Sequence, residues 1–479
     1  MNPEGTAPMR PSDGGSGMKR DWFLLTAAQR MIYHMTQEYP EPEVTCLGAC
    51  MALRADLDNG LLKQCIQMEY GRYDCLRLRF TAPDENGEVM QYIAPYEEME
   101  IPCICMTEIT MEEARSRMKS WTRLPFERVD APMCQFRLVE LADGYQGVYL
   151  RIDHLLADSC CIIALANDVM ELYCHFAFGT PMPGACYSFR EAALRELERA
   201  QDSVRTAADA AFWRKLIEMG EPVYTDIKGP ARLMESRRRH GNPRLRAADQ
   251  QRKDCAEGQA SFFLEPEPAG RLAAYCADNG ISMTNLLLMG LRTYLSKQND
   301  GETDISVRNY VSRRFSRLAR LSGGTRVHCY PCRTIIGPET GFLNGVSVIQ
   351  HLQNQIYRHV DYDSDRVLQE MSDAYHAPEH TIYESVALTY QPMPVCLKNE
   401  SLRGIPYQTM WFSNGTAIQP VYLTVMQNPA DSGLEFYVKY QAADYGYEDM
   451  ENMYDCLMRI LFLGVEHPQA SVGEIMGWA

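Results

Sequence analysis

The passage at residues 147–173 constrains the fold more than any other part of this sequence. Aliphatic residues occupy every second position from Val148 to Ile152, which predicts a strand with one buried face. Apolar residues then recur at helical spacing from Ile162 to Tyr173, which predicts an amphipathic helix. A tight turn containing His154 and Asp158 joins the two elements. A histidine at the end of a strand can project from the sheet, where it is well placed to act as a general base.

The chain is long enough to form two lobes. Its 479 residues, of which 46% are hydrophobic, exceed the roughly 250 to 300 residues at which a single core stops growing. The order helix, turn, strand of residues 61–80 recurs at residues 282–311, which indicates two lobes of similar architecture. We therefore predict a first lobe at residues 21–219 and a second lobe at residues 259–479, with a basic linker or exposed loop at residues 220–258. Residues 1–20 are rich in Gly, Pro and Ser, and we expect a disordered tail.

Composition excludes several classes of function. The net charge of -16 argues against a nucleic-acid partner, because phosphate binding needs an excess of Lys and Arg. We find no apolar run close to the roughly 18 residues of a membrane helix and no signal peptide, so no membrane association is expected. The 17 cysteines are odd in number and irregularly spaced, which indicates reduced thiols in a cytoplasmic protein. The glycine motifs of ATP-hydrolysing and dinucleotide-binding proteins are absent from the sequence.

The turn resembles the H-H-x-x-x-D-G signature of the condensation domains of nonribosomal peptide synthetases and of their chloramphenicol-acetyltransferase-like relatives. The second histidine of the signature falls on His154 and the aspartate on Asp158. Asp153 stands in place of the first histidine, and Ser159 stands in place of the glycine. The resemblance implies that His154 serves the reaction while Asp158 holds the turn, supported by Asp153 and Ser159. Asp153 could also favour the imidazolium form of His154 and weaken it as a base.

Other segments between residues 23 and 475 resemble the same family. Arg77 lies in an L-R-x-x-F motif whose arginine pairs with the signature aspartate, so the resemblance implies an ion pair between Arg77 and Asp158. The alternative is a solvated arginine on an open strand face. In the second lobe, an arginine of the family pattern falls on Arg313 or Arg314. Arg313 and Tyr330 are the residues that we expect in the substrate channel.

The resemblance implies an α/β fold in which two chloramphenicol-acetyltransferase-like lobes form a V around a central channel. It implies a free-standing acyltransferase that joins an acyl thioester to an amine and forms an amide in natural-product biosynthesis, with no bound cofactor. The donor would be the phosphopantetheine of an acyl or peptidyl carrier protein acting in trans, or coenzyme A. The acceptor would be a small-molecule amine or alcohol. Two alternatives stay open: an ester-forming O-acyltransferase, and a non-catalytic module that binds a carrier protein and recruits a partner.

Two cysteine motifs and the basic segment have competing interpretations. Cys329 and Cys332 have the spacing of a redox or metal site, but the sequence after them looks extended, so we expect buried thiols and no metal site. Cys160 and Cys161 could supply a nucleophile beside His154, but core packing is preferred because the family needs no covalent intermediate. The basic segment is interpreted as a solvated connection. The alternative is a docking surface for an acidic carrier protein or the phosphates of coenzyme A.

Overall fold

The computed structural model describes residues 20–392, 395–428 and 431–479, so the predicted tail lies outside the described residues except for Arg20. The helices of the described residues are, in chain order, α1 (Ala27–Glu38), α2 (Asn59–Arg72), α3 (Met111–Thr122), α4 (Ser159–Phe178), α5 (Phe189–Ala200), α6 (Ser203–Ile217), α7 (Ala231–Arg239), α8 (Pro266–Asp278), α9 (Met283–Gln298), α10 (Arg317–Leu321), α11 (Phe342–Arg358), α12 (Ser364–Tyr375), α13 (Tyr447–Glu466) and α14 (Val472–Trp478).

The strands of the described residues are, in chain order, β1 (Phe23–Leu24), β2 (Cys46–Arg54), β3 (Leu78–Phe80), β4 (Met90–Ile93), β5 (Cys103–Cys105), β6 (Cys134–Glu140), β7 (Tyr145–Asp153), β8 (Ala248–Asp249), β9 (Glu257–Leu264), β10 (Asp304–Ser312), β11 (Val327–Ile335), β12 (Thr381–Ile382), β13 (Val386–Gln391), β14 (Tyr407–Phe412), β15 (Val421–Gln427) and β16 (Leu434–Gln441). The periodicity of the sequence also predicts strands at residues 386–391, 421–427 and 434–440 and a final helix at residues 448–463. The structure confirms these elements within three residues.

Two large mixed sheets form the two lobes of this α/β fold. The first has the strand order β14-β2-β7-β6-β5, and the second has the order β11-β10-β13-β15-β16-β9. The central strand of the first sheet is β7, which carries the chain into the turn at His154. Its aliphatic residues Leu150 and Ile152 are buried in one core, and the second lobe has a separate core around α9 and α13. The predicted strand and helix are therefore confirmed, but the prediction of one buried face is wrong: Tyr149 and Arg151 on the other face of β7 are buried as well.

Strand β14 crosses from the second half of the chain into the first lobe. It pairs antiparallel with β2, from Tyr407 beside Leu53 to Phe412 beside Gly48. The prediction that residues 259–479 form only the second lobe is therefore wrong at this strand. The physical reason is that β2 would otherwise end the sheet with unpaired N–H and C=O groups, which a strand from elsewhere in the chain can satisfy.

The segment at residues 220–258 is folded, which contradicts the prediction of a solvated linker. It contains α7 and the short strand β8, which pairs with β12. Tyr224, Leu233 and Leu245 are buried there. The segment looked like a loop because its apolar residues are few and widely spaced, whereas its charged side chains find partners within the protein.

One helix among the described residues, α4, is long and apolar enough to cross a membrane. The helix has 20 residues. An 18-residue segment of it has a mean hydropathy of 1.3, and half of that segment is buried inside the protein. The sequence analysis did not find this run. Its buried residues, among them Leu165 and Leu172, belong to the core of the first lobe, as expected of a core helix.

Candidate active site

The turn between β7 and α4 is held by hydrogen bonds from both lobes. The N–H of His154 donates to the carbonyl of Thr45 at 2.8 Å, within the first lobe. The hydroxyl of Thr325, from the second lobe, donates to the carbonyl of His154. Asp158 caps α4, accepting from the N–H of Cys161 at 2.9 Å. The position of the histidine is therefore fixed by the junction of the two lobes.

His154 is a half-buried imidazole whose pKa is lowered. Burial is the main cause, because it disfavours the charged ring. The carboxylates of Asp158 and Asp153 and the backbone of His154 and Ala157 oppose that effect without overcoming it. The Nδ1 atom of His154 is buried and has no hydrogen-bond partner among the described residues. A neutral ring at pH 7 follows, which is the form that can accept a proton.

Asp153 has its own partners beside the turn. Its carboxylate accepts from the hydroxyl of Thr45 at 2.6 Å and from the N–H of Leu155 at 2.9 Å, and Arg128 lies 3.4 Å away. These donors offset its charge. The concern that Asp153 would hold His154 as an imidazolium is therefore wrong in its net direction, since the pKa of the histidine is lowered.

Asp158 forms an ion pair with Arg314 from the second lobe, at 2.7 Å. The N–H of Arg326 also donates to it, at 3.0 Å. Burial alone would raise the pKa of Asp158, but Arg314 and the N–H groups of Cys161 and Arg326 outweigh burial and hold that pKa below its usual value. The carboxylate therefore joins the active turn to the second lobe.

Arg77 is not the partner of Asp158, which corrects the ion pair implied by the family resemblance. Residues 74–77 form a short 3-10 turn before β3, in place of the predicted strand. The guanidinium of Arg77 donates to the backbone carbonyls of Ala94 at 2.7 Å, Gly71 at 3.2 Å and Tyr70 at 3.3 Å. Its charge thus satisfies two carbonyls in the last turn of α2 and one directly after β4. It supports the first lobe away from the turn.

The loop after β10 brings Arg314 to the turn. Its guanidinium also donates to the carbonyls of Ala319 at 2.9 Å and of Gly324 at 2.7 Å. Gly323 and Gly324 have positive φ values of 63° and 78°, and a Cβ on Gly323 would lie 2.8 Å from the Sγ of Cys75 in the first lobe. Two glycines are therefore required for this loop to approach the first lobe closely.

Arg313 and Tyr330, the residues predicted in a substrate channel, are buried in contacts within the protein. Arg313 binds Glu196 at 2.9 Å and also Asp361. The hydroxyl of Tyr330 donates to a backbone carbonyl at 2.7 Å, and its ring stacks on Trp213 at 5.0 Å. Tyr330 is 1% exposed, so it does not line an open channel. Both residues therefore join the second lobe to α5 and α6, which the sequence had assigned to the first lobe.

The remaining predicted site residues lie beside or away from the turn. Ser159 is the first residue of α4 and is half-buried. Burial raises the pKa of Cys160, which keeps this residue as a thiol and favours packing over a nucleophilic role. Cys329 and Cys332 are free and buried on β11, and burial raises the pKa of each to about 12, as expected for inert thiols.

An apolar cavity lies between the first sheet and α4, and the sequence analysis missed it. Its volume is about 40 Å³. Its walls come from four strands of the first sheet and from α4, together with a residue of the segment before β14: Ala49, Cys50, Met51, Phe136, Val148, Leu150, Ile162, Leu165, Ala166, Val169, Val395, Thr409, Met410 and Trp411. Ile162 lies one turn into the helix that begins after His154. The signal was the excess of small and aliphatic residues on α4, which is equally typical of ordinary core packing.

Comparisons with known proteins agree with this geometry. The family model described as Condensation domain matches residues 19–476. Surfactin synthase subunit 1 of Bacillus subtilis is 25% identical over 463 residues, which is 96% of this chain and 12% of that protein. The chain spans between 7% and 17% of the length of the curated synthetase subunits that it matches.

Solved structures share the fold. The first condensation domain of the calcium-dependent antibiotic synthetase, in complex with a substrate analogue, matches with a TM-score of 0.76 and 19% identity, covering 95% of this chain and 98% of that one. The starter condensation domain of rhizomide synthetase, a mutant in complex with C8-CoA, matches with a TM-score of 0.76 and 18% identity, covering 94% and 96%. The strand, turn and helix around His154, the two lobes and the match over nearly the whole length lead to one conclusion: this chain belongs to the condensation-domain family.

Proposed function

We propose that this protein is an acyltransferase that joins an acyl thioester to an amine and releases an amide, with His154 as the general base. Amide-bond formation is the general activity of the family. The observation that carries the proposal for this chain is the state of His154, a half-buried imidazole with a lowered pKa at the junction of two lobes. A neutral base is ready to take a proton, and the ion pair of Asp158 with Arg314 keeps its turn in place.

The proposed reaction balances without any further reactant. The nitrogen of the acceptor amine attacks the thioester carbon, and His154 removes a proton from that nitrogen. The new C–N bond forms as the C–S bond breaks, and the proton leaves with the thiol. A positioned base typically contributes a factor of about 10² to 10⁴. Holding the two substrates together contributes much of the remaining acceleration.

We propose that the donor carries an apolar acyl group. The cavity beside Ile162 and Ala166 is lined almost wholly by aliphatic, aromatic and sulfur-containing side chains. It follows the helix that begins at the active turn. Because its volume is about 40 Å³, it would have to widen around an acyl chain whose thioester stays near His154. Each buried methylene would contribute about 0.8 kcal/mol. The complex of a related starter domain with C8-CoA is consistent with such a donor.

The thiol that carries the acyl group would be coenzyme A or the phosphopantetheine of a carrier protein acting in trans. The basic segment at residues 220–258 gives little support for phosphate docking, since its arginines are largely bound within the protein. Arg239 and His240 both contact Asp249, at 2.9 and 2.7 Å, and Arg232 contacts Asp444 at 3.1 Å. A reducing, cytoplasmic location is proposed because all seventeen cysteines are free.

A second candidate is a non-catalytic module that binds a carrier protein and positions a partner. The observation that favours it is Asp153, which stands where the family signature has its first histidine. That aspartate accepts hydrogen bonds from Thr45 and Leu155, so it has a structural role of its own. The two candidates differ in whether the imidazole of His154 is needed.

The test is mass spectrometry of products formed from octanoyl-CoA, or an octanoyl-loaded carrier protein, with a panel of amines and alcohols. We expect a new amide that depends on the protein and is absent with His154→Ala. Cys160→Ser is the matched control, because it changes a thiol near the same turn and should preserve product formation. Ester in place of amide would identify an O-acyltransferase. Equal yields of amide with His154→Ala would refute His154 as the base. No product with any donor, while carrier protein still binds, would support the second candidate.

A further inference from the structure

A group of three potential metal ligands lies on the side of the first lobe where α2, α4 and the segment before α5 meet. One ligand atom each from Glu69, Asp168 and Cys186 can be chosen so that all three lie within 4.8 Å of one another. Glu69 belongs to α2, Asp168 belongs to α4, and Cys186 lies between α4 and α5. Asp168 is ten residues beyond Asp158, or about 15 Å along the helix. The group is therefore separate from the active turn.

Neighbouring side chains hold one oxygen of each carboxylate. Arg72 donates to Oε1 of Glu69 at 2.7 Å, and the hydroxyl of Tyr73 donates to Oδ2 of Asp168 at 2.8 Å. Arg72 also donates to the carbonyl of Gly184, which fixes the segment that carries Cys186. Metal ligands are commonly oriented by such outer partners. The arrangement resembles a set of ligands held in place before an ion arrives.

The other oxygen of Glu69 is an independent sign of a missing ligand. Glu69 is 0% exposed, and its Oε2 has no hydrogen-bond partner among the described residues. A buried carboxylate oxygen without a partner is costly, so it calls for an explanation. Either a proton or a cation can supply the missing interaction. Burial raises the pKa of Glu69 to about 8, which makes the proton the competing explanation.

We propose that Glu69, Asp168 and Cys186 form a binding site for Zn²⁺ or a cation of similar size and softness. Two carboxylate oxygens and one sulfur suit a borderline metal better than Mg²⁺ or Ca²⁺, which prefer oxygen alone. Tetrahedral Zn²⁺ needs these oxygen and sulfur atoms about 3.3 to 3.6 Å apart, so atoms now within 4.8 Å of one another must approach by up to about 1.5 Å. Cys186 lies outside the helices, so its side chain can change rotamer while Arg72 holds the backbone at Gly184. On binding, the thiol of Cys186 and the carboxyl of Glu69 release their protons to solvent, and a water molecule completes the coordination.

The proposed ion would tie two helices and the preceding segment of α5 together. It would be a structural site, because Asp168 lies about 15 Å along α4 from Asp158 at the active turn. Binding to the folded state alone raises stability by RT ln(1 + [L]/Kd). We therefore expect Zn²⁺ to raise the melting temperature and to protect residues 180–188 from proteolysis.

The experiment measures metal binding to the full chain carrying Cys103→Ser and Cys105→Ser, which removes two exposed thiols that could bind Zn²⁺ adventitiously. We expect one Zn²⁺ per chain in a chelator competition assay, and a sulfur-to-cobalt absorption band with Co²⁺. Glu69→Gln and Cys186→Ala should each weaken affinity by about 100-fold or more, by analogy with the effects of outer-shell changes. Glu171→Gln, on the same helix as Asp168, should leave affinity unchanged.

Circular dichroism of the metal-free variants separates loss of ligands from loss of fold. Glu69→Gln keeps the size of the side chain and an oxygen for Arg72, and Cys186→Ala lies outside the helices, so at least one folded variant is expected. The proposal is overturned if the parent chain shows no saturable binding, or if a folded Glu69→Gln or Cys186→Ala variant binds Zn²⁺ as tightly as the parent. In that case the proton on Glu69 accounts for the buried oxygen.

Discussion

Replacement of Arg314 by Met should destabilise the protein strongly, because it leaves Asp158 as an unpaired buried carboxylate. The side chains of the two residues are only 10% and 5% exposed, and the pair is separated by 2.7 Å. Removal of one partner of a buried ion pair typically costs about 3 to 5 kcal/mol. We therefore expect the free energy of unfolding at pH 7 to fall by about that amount in urea denaturation followed by fluorescence.

A double-mutant cycle with Asp158→Asn isolates the ion pair. In the parent chain this substitution should cost about 1 to 3 kcal/mol, because a charged hydrogen bond is lost. In the Arg314→Met background it should instead be neutral or stabilising, because it removes the unpaired charge. Arg77→Met is the control, because the hydrogen bonds of Arg77 among the described residues go to the backbone carbonyls of Tyr70, Gly71 and Ala94. With Arg77→Met, the effect of Asp158→Asn should stay within about 0.5 kcal/mol of its value in the parent.

The difference in stability between the parent and Arg314→Met should depend on pH, because the pKa of Asp158 is lowered in the folded parent. The pKa of Asp158 is lowered in the folded protein, so its stabilising contribution is present above the unfolded value of about 3.9 and is lost as the pH falls through the folded value. In Arg314→Met the buried carboxyl should have a raised pKa and become neutral at a higher pH. The difference between parent and variant should therefore narrow as the pH is lowered from 7 towards 4. A loss below 1 kcal/mol at pH 7, or additivity with Asp158→Asn, would refute the assignment.

Three further predictions concern the base, the cavity and the strand exchange. Because burial lowers the pKa of His154, a pH–rate profile should show kcat/KM staying high as the pH falls to 6.5 and declining only below pH 6.5. A decline centred above pH 6.5 would contradict the lowered pKa. Ala166→Phe should fill the cavity, so that about four methylenes of an octanoyl chain lose their contacts. The reduction in kcat/KM should then be on the order of 100-fold greater for octanoyl-CoA than for acetyl-CoA, and equal reductions for the two donors would exclude this cavity as the acyl site. Asn414 lies two residues after β14, and its amide donates to the carbonyls of Val44 and Cys46 at the start of β2. Asn414→Ala should therefore lower the free energy of unfolding by about 1 to 3 kcal/mol. An unchanged midpoint in urea denaturation would count against that role.

Local pattern was sufficient to predict the centre of the candidate site. The alternation before His154 and the helical spacing after Asp158 lie within one short stretch, so β7, the turn and α4 follow from period alone. The direction of the histidine pKa could not be predicted, because it depends on burial from all sides. The nearby Asp153 suggested the opposite direction until its contacts with Thr45 and Leu155 were seen.

Partners that are distant in sequence were beyond such reasoning. Arg77 and Arg314 are both arginines at positions matched by the family pattern, and only the path of the chain decides which one reaches Asp158. Tyr330 likewise follows a recognisable segment, yet its alternation on β11 says nothing about whether a channel or Trp213 covers its ring. The sequence therefore identified candidate residues more reliably than their contacts.

The exchange of β14 has a consequence for how the protein is made. Strand β2 must wait for a partner that the ribosome adds only when it reaches Tyr407, far beyond Leu53. At 5 to 20 residues per second this delay is roughly 20 to 70 s. Throughout that time the nascent chain exposes a ready template for pairing with other polypeptides, so its yield in a cell depends on chaperones and on how quickly translation is completed.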